Sequence, residues 1–211
     1  AAHMDEIMTI AEKYDLKVIE DNAESIGGKY KGKLLGTIGH ISTLSFFGNK
    51  IITTGEGGAV LTNDEDISIR CFELRDHGMS HKKKYHHIDL GYNYRMTDMA
   101  AALGLSQLSK IEKFLDKRRK IAKGYSDSLG QLPLVLPLNE ANVRPAWHLY
   151  VVRVDPSQSK LSRDNVFDLL RENGIGANVH YIPIHMQPYY QKLGFQFGDF
   201  PVAEKYSKEA L

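Results

Sequence analysis

The sequence lacks a second cysteine, a long apolar run and a surplus of either charge, and each shortage excludes something. Cys71 has no partner for an internal disulfide. Its place in "ISIRCFELRDHG" reads as the inner face of a helix, in a reducing, cytoplasmic compartment. The 27 Lys and Arg against 26 Asp and Glu leave no field that would gather nucleic acid or an acidic membrane non-specifically. No apolar stretch reaches bilayer-spanning length, and no charged-then-apolar leader with a small-residue cleavage site opens the chain, so a soluble protein is expected. Repeats, low-complexity tracts and coiled-coil seams are also missing.

What is present is enough for a folded core. At 211 residues and 42% hydrophobic content, the chain can bury one sizeable core with room for a smaller second one. "MDEIMTIAEKYD" has helical spacing and leads into "LKVIED", a short strand ending in acids. "HISTLSFFG" and "GAVLTN" read as further strands, and "DEDISIRCFELRDHG" as a helix with acids first and a glycine stop. "TDMAAALGLSQLSKIEKFLDKRRKIAKGYSDSL" predicts one long amphipathic helix, with Leu105, Leu108, Ile111 and Leu115 on one side. "QLPLVLPLNEANVRP" reads as a connector. After it come a strand in "AWHLYVVRVD", a capped helix in "SRDNVFDLLRENG" and a strand in "IGANVHYIPIH", a second β-α-β unit. Helical patterns at both ends suggest part of a longer protein. The expected organisation is α/β, with 1–96 as one domain, 97–130 as a linking helix and 131–211 as a smaller domain.

The candidate chemistry gathers around "LSFFGNKIITTGEGGAVLTND". Lys50 stands between two apolar runs, where a lysine either escapes to solvent or is held for a purpose. Asp21 lies at the carboxyl end of a predicted strand, the edge where open α/β sheets place ligand-contacting groups. Taken alone, "EDNAES" reads as an acidic cap or turn, Lys50 as a surface lysine and Ser45 as an alternating strand position. "GEGG" lacks P-loop spacing and reads as a tight turn behind Lys50. The histidines of "HGMSHKKKYHHIDL" (His77, His81, His86 and His87) have neither cysteines nor HExxH spacing beside them, so no metal is expected. Lys82, Lys83 and Lys84 in that run are either an ordinary solvated loop or a contact for a nucleotide diphosphate.

Taken together, Asp21, Ser45 and Lys50 with "TTGEGG", then "LRDHGMS", "LGYNYRMTDMAAALGLSQL", "GIGANVHYIPIHMQPYY" and "GDFPVAEKY", resemble the DegT/DnrJ/EryC1/StrS family of nucleotide-sugar aminotransferases, which use pyridoxal 5'-phosphate. The resemblance implies the fold-type I architecture of the PLP-dependent transferases: the latter part of the large mixed-sheet domain plus most of a small α+β domain. It implies that Lys50 forms the Schiff base with the cofactor and shuttles the proton, that Asp21 pairs with the pyridine nitrogen, and that Ser45 binds the phosphate. Glu24 falls where relatives place a polar residue near the ring or substrate. Asn93 and Arg95 match a segment that reaches a partner's phosphate in a homodimer with shared sites. His180 matches a position near the sugar, although a hydrogen-bonded core histidine is an equal reading.

The implied reaction moves an amino group, with glutamate as donor by family analogy, to a nucleotide-linked keto sugar in cell-surface polysaccharide or glycan biosynthesis. A 4-keto-6-deoxy sugar is the expected acceptor. The alternatives are a 3-dehydratase relative, against which Lys50 argues because those enzymes carry histidine there, and a non-catalytic binding or regulatory protein of the same fold. Family members also carry an N-terminal part that supplies a phosphate-gripping turn and a ring-stacking aromatic, neither of which is located in this sequence. A molecule confined to these residues is expected to bind cofactor weakly and to have little activity.

Overall fold

The computed structural model describes residues 1–211, which divide into two compact units: 1–120 with 139–148, and 121–138 with 149–211. The first unit opens with helix α1 (Met4–Lys13), which buries Met4 and Ala11. The chain then enters a three-stranded mixed sheet made of β1 (Ile19–Asp21), β4 (Ile41–Ser45) and β5 (Gly58–Thr62). β1 and β4 run parallel, with Asp21 opposite Thr43, while β4 and β5 are antiparallel. Two short strands, β2 (Lys29–Tyr30) and β3 (Lys33–Leu34), lie between β1 and β4 and form a second small sheet with β7 (Val143–Arg144).

Glu20, which is buried, organises the crossover from β1 to β4. Its carboxylate accepts the backbone N–H groups of Gly36, Ile38 and Gly39 at 2.8, 2.7 and 2.6 Å. Those three donors belong to a loop with no ladder of its own, so the side chain does the work that a strand would otherwise do. Asn22 serves the next turn. Its Nδ2 donates to the Leu35 carbonyl at 2.9 Å, and its Oδ1 accepts from the Ser25 hydroxyl.

Helix α2 (Glu65–Arg75) starts as its sequence predicts, with the Asp64 side chain accepting the Ile67 N–H at 3.0 Å. A cap of this kind contributes about 1 kcal/mol. The single long helix expected over 97–130 is instead two, α3 (Asp98–Leu108) and α4 (Ile111–Leu129). At the break, the Ser109 hydroxyl donates to the Ser106 carbonyl and the Lys110 N–H turns back to Gln107. This local side-chain bond and the shortened turn compete with the regular ladder. The expected common face of Leu105, Leu108, Ile111 and Leu115 is therefore divided: Leu115 is fully buried, while Leu105 and Leu108 are exposed.

The second unit contains β6 (Leu134–Val135) paired with β8 (Arg153–Val154), and α5 (Arg163–Glu172), which begins with a complete Ser162/Asn165 capping box. It ends with a 3₁₀ turn (Ile184–Met186), α6 (Pro188–Gln191) and α7 (Pro201–Glu209). The stretch read as a connector thus contributes β6 and β7. The strand expected in "AWHLYVVRVD" is reduced to β8, and the one expected over 175–185 does not form. Residues 175–183 have strand-like composition but no ladder partner, and β-propensity yields to pairing. Val152 does find one, exchanging both backbone hydrogen bonds with Leu211.

No helix is long and apolar enough to cross a membrane.

Candidate active site

Four chain segments of the first unit meet in one apolar cluster. Leu115 of α4 packs with Ile51 and Ala146, and Ile26 and Ile111 close the cluster from the side. Each of the first three neighbours stands within two residues of a polar group: Ile26 follows Glu24, Ile51 follows Lys50, and Ala146 precedes His148. Burying the apolar residue fixes the backbone beside it, so a single core positions all three polar side chains.

Lys50 rides on a loop pinched at its base, where the Phe46 N–H donates to the Gly57 carbonyl and the Phe46 carbonyl accepts the Thr54 N–H, both at 2.9 Å. Within it, the Lys50 N–H turns back to the Phe47 carbonyl at 3.0 Å. Gly57 closes the loop at φ 143°, and a Cβ there would fall 2.7 Å from Thr54 Oγ1, so "TTGEGG" is the tight turn its composition predicts. Ile51 and Ile52 are buried just beyond. The Lys50 side chain is only 15% exposed, and its Nζ donates to Glu24 Oε1 at 2.9 Å.

Asp21 and Ser45 stand at the carboxyl ends of the neighbouring parallel strands β1 and β4. Neither touches Lys50. Asp21 is exposed, with Oδ1 accepting the Ala23 N–H at 3.1 Å, which leaves its second oxygen available. Ser45 Oγ accepts the Phe47 N–H at 3.3 Å, leaving its hydroxyl proton to donate. An amine paired to a carboxylate, an acceptor-only carboxylate and a free hydroxyl donor match the three demands of a phosphorylated pyridine aldehyde: an attacking nitrogen, a partner for a protonated ring nitrogen and a phosphate ligand. The residues present fit that group.

The remaining candidates have partners of their own. Asn93 and Arg95 are exposed in the segment before α3. Asn93 bridges to Asp76 through the backbone, and the Arg95 guanidinium pairs with the Asp76 carboxylate. His180, in the second unit, is half-buried with its ring 4.0 Å from that of Tyr181. Of the loop histidines, His81 binds Glu73 at 2.8 Å and His87 binds the His77 carbonyl at 2.9 Å. No group of three or more His, Cys, Asp or Glu side chains is arranged to hold a metal ion. A groove of about 1430 Å³ runs instead along β5, α2 and residues 90–97; Arg95 lines it, and Asp21, Glu24, Ser45 and Lys50 do not.

One residue of the site escaped the sequence reading. His148 has a side chain only 6% exposed, and its Nε2 lies 3.7 Å from the same Glu24 oxygen that Lys50 holds. In the sequence it is one position of an alternating strand pattern, and no spacing links it to a glutamate over a hundred residues earlier.

The chain as a whole resembles known proteins. The chain is 38% identical to a GDP-perosamine synthase of Escherichia coli O157:H7, covering 95% of this chain and 53% of that protein. It is 37% identical to the spore coat polysaccharide biosynthesis protein SpsC of Bacillus subtilis, covering 99% of this chain and 57% of that protein. The chain thus spans about half the length of these curated relatives. Among solved structures, DesV of S. venezuelae, crystallised with a ketimine intermediate, superposes with a TM-score of 0.90 at 31% identity, over 100% of this chain and 55% of that one. The mixed α/β fold is accordingly part of the fold-type I architecture of PLP-dependent aminotransferases. With the family model matching residues 1–211, the chain belongs to the DegT/DnrJ/EryC1/StrS aminotransferase family.

Proposed function

We propose that this chain is the lysine-bearing part of a PLP-dependent aminotransferase that moves an amino group from an amino-acid donor, glutamate, to a nucleotide-linked 4-keto-6-deoxy sugar. The observation that carries the reading is Lys50: its ammonium is drawn out of solvent and held 2.9 Å from Glu24, at the sheet edge that also carries Asp21 and Ser45. A lysine with only a solubilising role gains nothing from that burial.

When bound, pyridoxal 5'-phosphate supplies an aldehyde carbon that captures amines and a ring that accepts the electron pair released at the reacting carbon. Lys50 provides the amine that anchors it and, once displaced by the donor, carries the proton between the reacting carbons. Asp21 keeps the pyridine nitrogen protonated, because a carboxylate beside it favours the cationic ring. Ser45 donates to the phosphate. Asn93 and Arg95 act across a homodimer interface on the partner's phosphate, for which Arg95 exchanges Asp76 for the phosphate. His180 contacts the sugar. The protein acts in the cytoplasm, in surface polysaccharide or glycan synthesis, the setting named for SpsC.

The test is spectroscopic and then catalytic. Full-length protein mixed with the cofactor is expected to develop the visible absorbance band of a lysine-bound cofactor, absent in Lys50→Ala. With glutamate and a nucleotide 4-keto-6-deoxy sugar, it is expected to yield the amino sugar and 2-oxoglutarate. No band from the full-length protein overturns the aminotransferase reading. A band without turnover on any 4-keto or 3-keto nucleotide sugar overturns the substrate class.

A further inference from the structure

The contact between Lys50 and Glu24 raises a difficulty for the proposed function. When Lys50 leaves to bond the cofactor, Glu24 keeps its negative charge and loses its ammonium partner. A half-exposed carboxylate freed in this way would swing into solvent, its side chain having several rotors to recover. Resting on the aminotransferase reading, we propose that His148 is a positioning residue that takes over Glu24 when Lys50 is engaged, holding the carboxylate at the cleft.

The geometry around His148 is built for such a role. Its Nε2 lies 3.7 Å from Glu24 Oε1, too long for a hydrogen bond, and a movement of roughly 1 Å closes it to bonding distance. Lys50 and His148 address the same oxygen, so departure of one vacates a lone pair for the other. The backbone that carries His148 is held from two sides. The Arg118 guanidinium of α4 donates to both the Trp147 and His148 carbonyls, at 3.0 and 3.1 Å. Trp147 itself sits in the left-handed region at φ 52°, a conformation that a bulky residue holds only when its surroundings over-determine it. Ala146, just before, is locked in the Leu115 cluster.

The Glu24 side of the contact is anchored too. Asn22 and Ser25 hold the turn on which Glu24 stands, and Ile26 enters the same cluster. Both partners are thus fixed by their backbones, and only the carboxylate moves. The imidazole serves here as an N–H donor whose aim is set by Arg118 and Ala146.

The test uses the full-length protein and has two independent parts. In cofactor-free protein, NMR of the His148 Nε2 proton in Lys50→Met is expected to show a downfield-shifted, slowly exchanging signal that Glu24→Gln in the same background removes; an identical signal with and without Glu24→Gln overturns the contact. In the holoenzyme, His148→Phe is expected to lower kcat by roughly tenfold, a coupling typical of residues in contact, with little change in the cofactor band or thermal midpoint. His148→Gln, which keeps a donor, restores most of that loss, and in a Glu24→Gln background His148→Phe adds nothing. Multiplying rather than overlapping effects, or a loss that Gln does not rescue, overturns the proposal. If His148→Phe does not fold, His148→Gln and the NMR measurement carry the test. Failure of the aminotransferase reading would show separately, as absence of the cofactor band in wild type.

Discussion

The Cδ1 carbon of Leu115 lies 2.5 Å from the point where a side-chain carbon on Gly27 would begin. Gly27 also has φ 78°, in the left-handed region. Gly27→Ala therefore meets a steric and a conformational penalty together, expected to cost about 2–4 kcal/mol. A urea unfolding midpoint checks this; an Ala variant as stable as wild type would show that α4 yields easily at Leu115.

Leu115 is the hub of the cluster that fixes the neighbours of Glu24, Lys50 and His148. Leu115→Ala removes a fully buried side chain and is expected to destabilise by about 2–5 kcal/mol. Because three site segments share that support, cofactor affinity should fall as well, beyond any effect of Leu105→Ala on the exposed side of α3. Titration of the cofactor band in both variants, at a temperature where each is folded, decides it.

Glu20 holds three backbone donors with one carboxylate. Glu20→Gln replaces one acceptor oxygen with a donor that faces N–H groups, so at least one buried N–H loses its partner, at about 1–3 kcal/mol. Hydrogen exchange at Gly36, Ile38 and Gly39 reads this directly. Unchanged protection would contradict the loop's dependence on Glu20.

Glu73 and Glu204 give the protein an acid limit. The His81 side chain, and then its backbone N–H, hold the Glu73 carboxyl below the usual carboxylate range. For Glu204, burial alone would push the carboxyl up, but the Gly198 N–H and the His185 imidazole outweigh it and the net direction is down. A depressed folded value means the stabilisation is complete above the unfolded carboxyl's value of about 4.3 and disappears as pH falls through the lower folded value. Wild type should therefore exceed Glu73→Gln and Glu204→Gln in unfolding free energy near neutrality, with the gap closing in acid. A gap independent of pH would rule out this linkage.

Much of the site was legible because its parts are local. Asp64, Thr97 and Ser162 each cap the helix their sequence context predicts, since a cap involves residues three apart. The loop carrying Lys50 follows from its glycines, and the strands ending in Asp21 and Ser45 from their apolar runs. The break at Ser109 was hidden because helical periodicity continues across it, and the failure of residues 175–183 to form a strand because pairing depends on a distant partner. Asn93 and Arg95 meet Asp76 and His180 packs beside Tyr181, local partners that neither composition nor spacing announces.

The sequence by itself determined the capped helices, the turn that carries Lys50, the order of the motif residues and the family, because caps, turns and periodicity are short-range physics. Only the tertiary structure decided that Glu24 is Lys50's partner and that His148 stands behind it. That choice rests on packing around Leu115, which joins segments from four parts of the chain; contacts between residues so far apart are set by the shape of the filled core, and no local pattern encodes them.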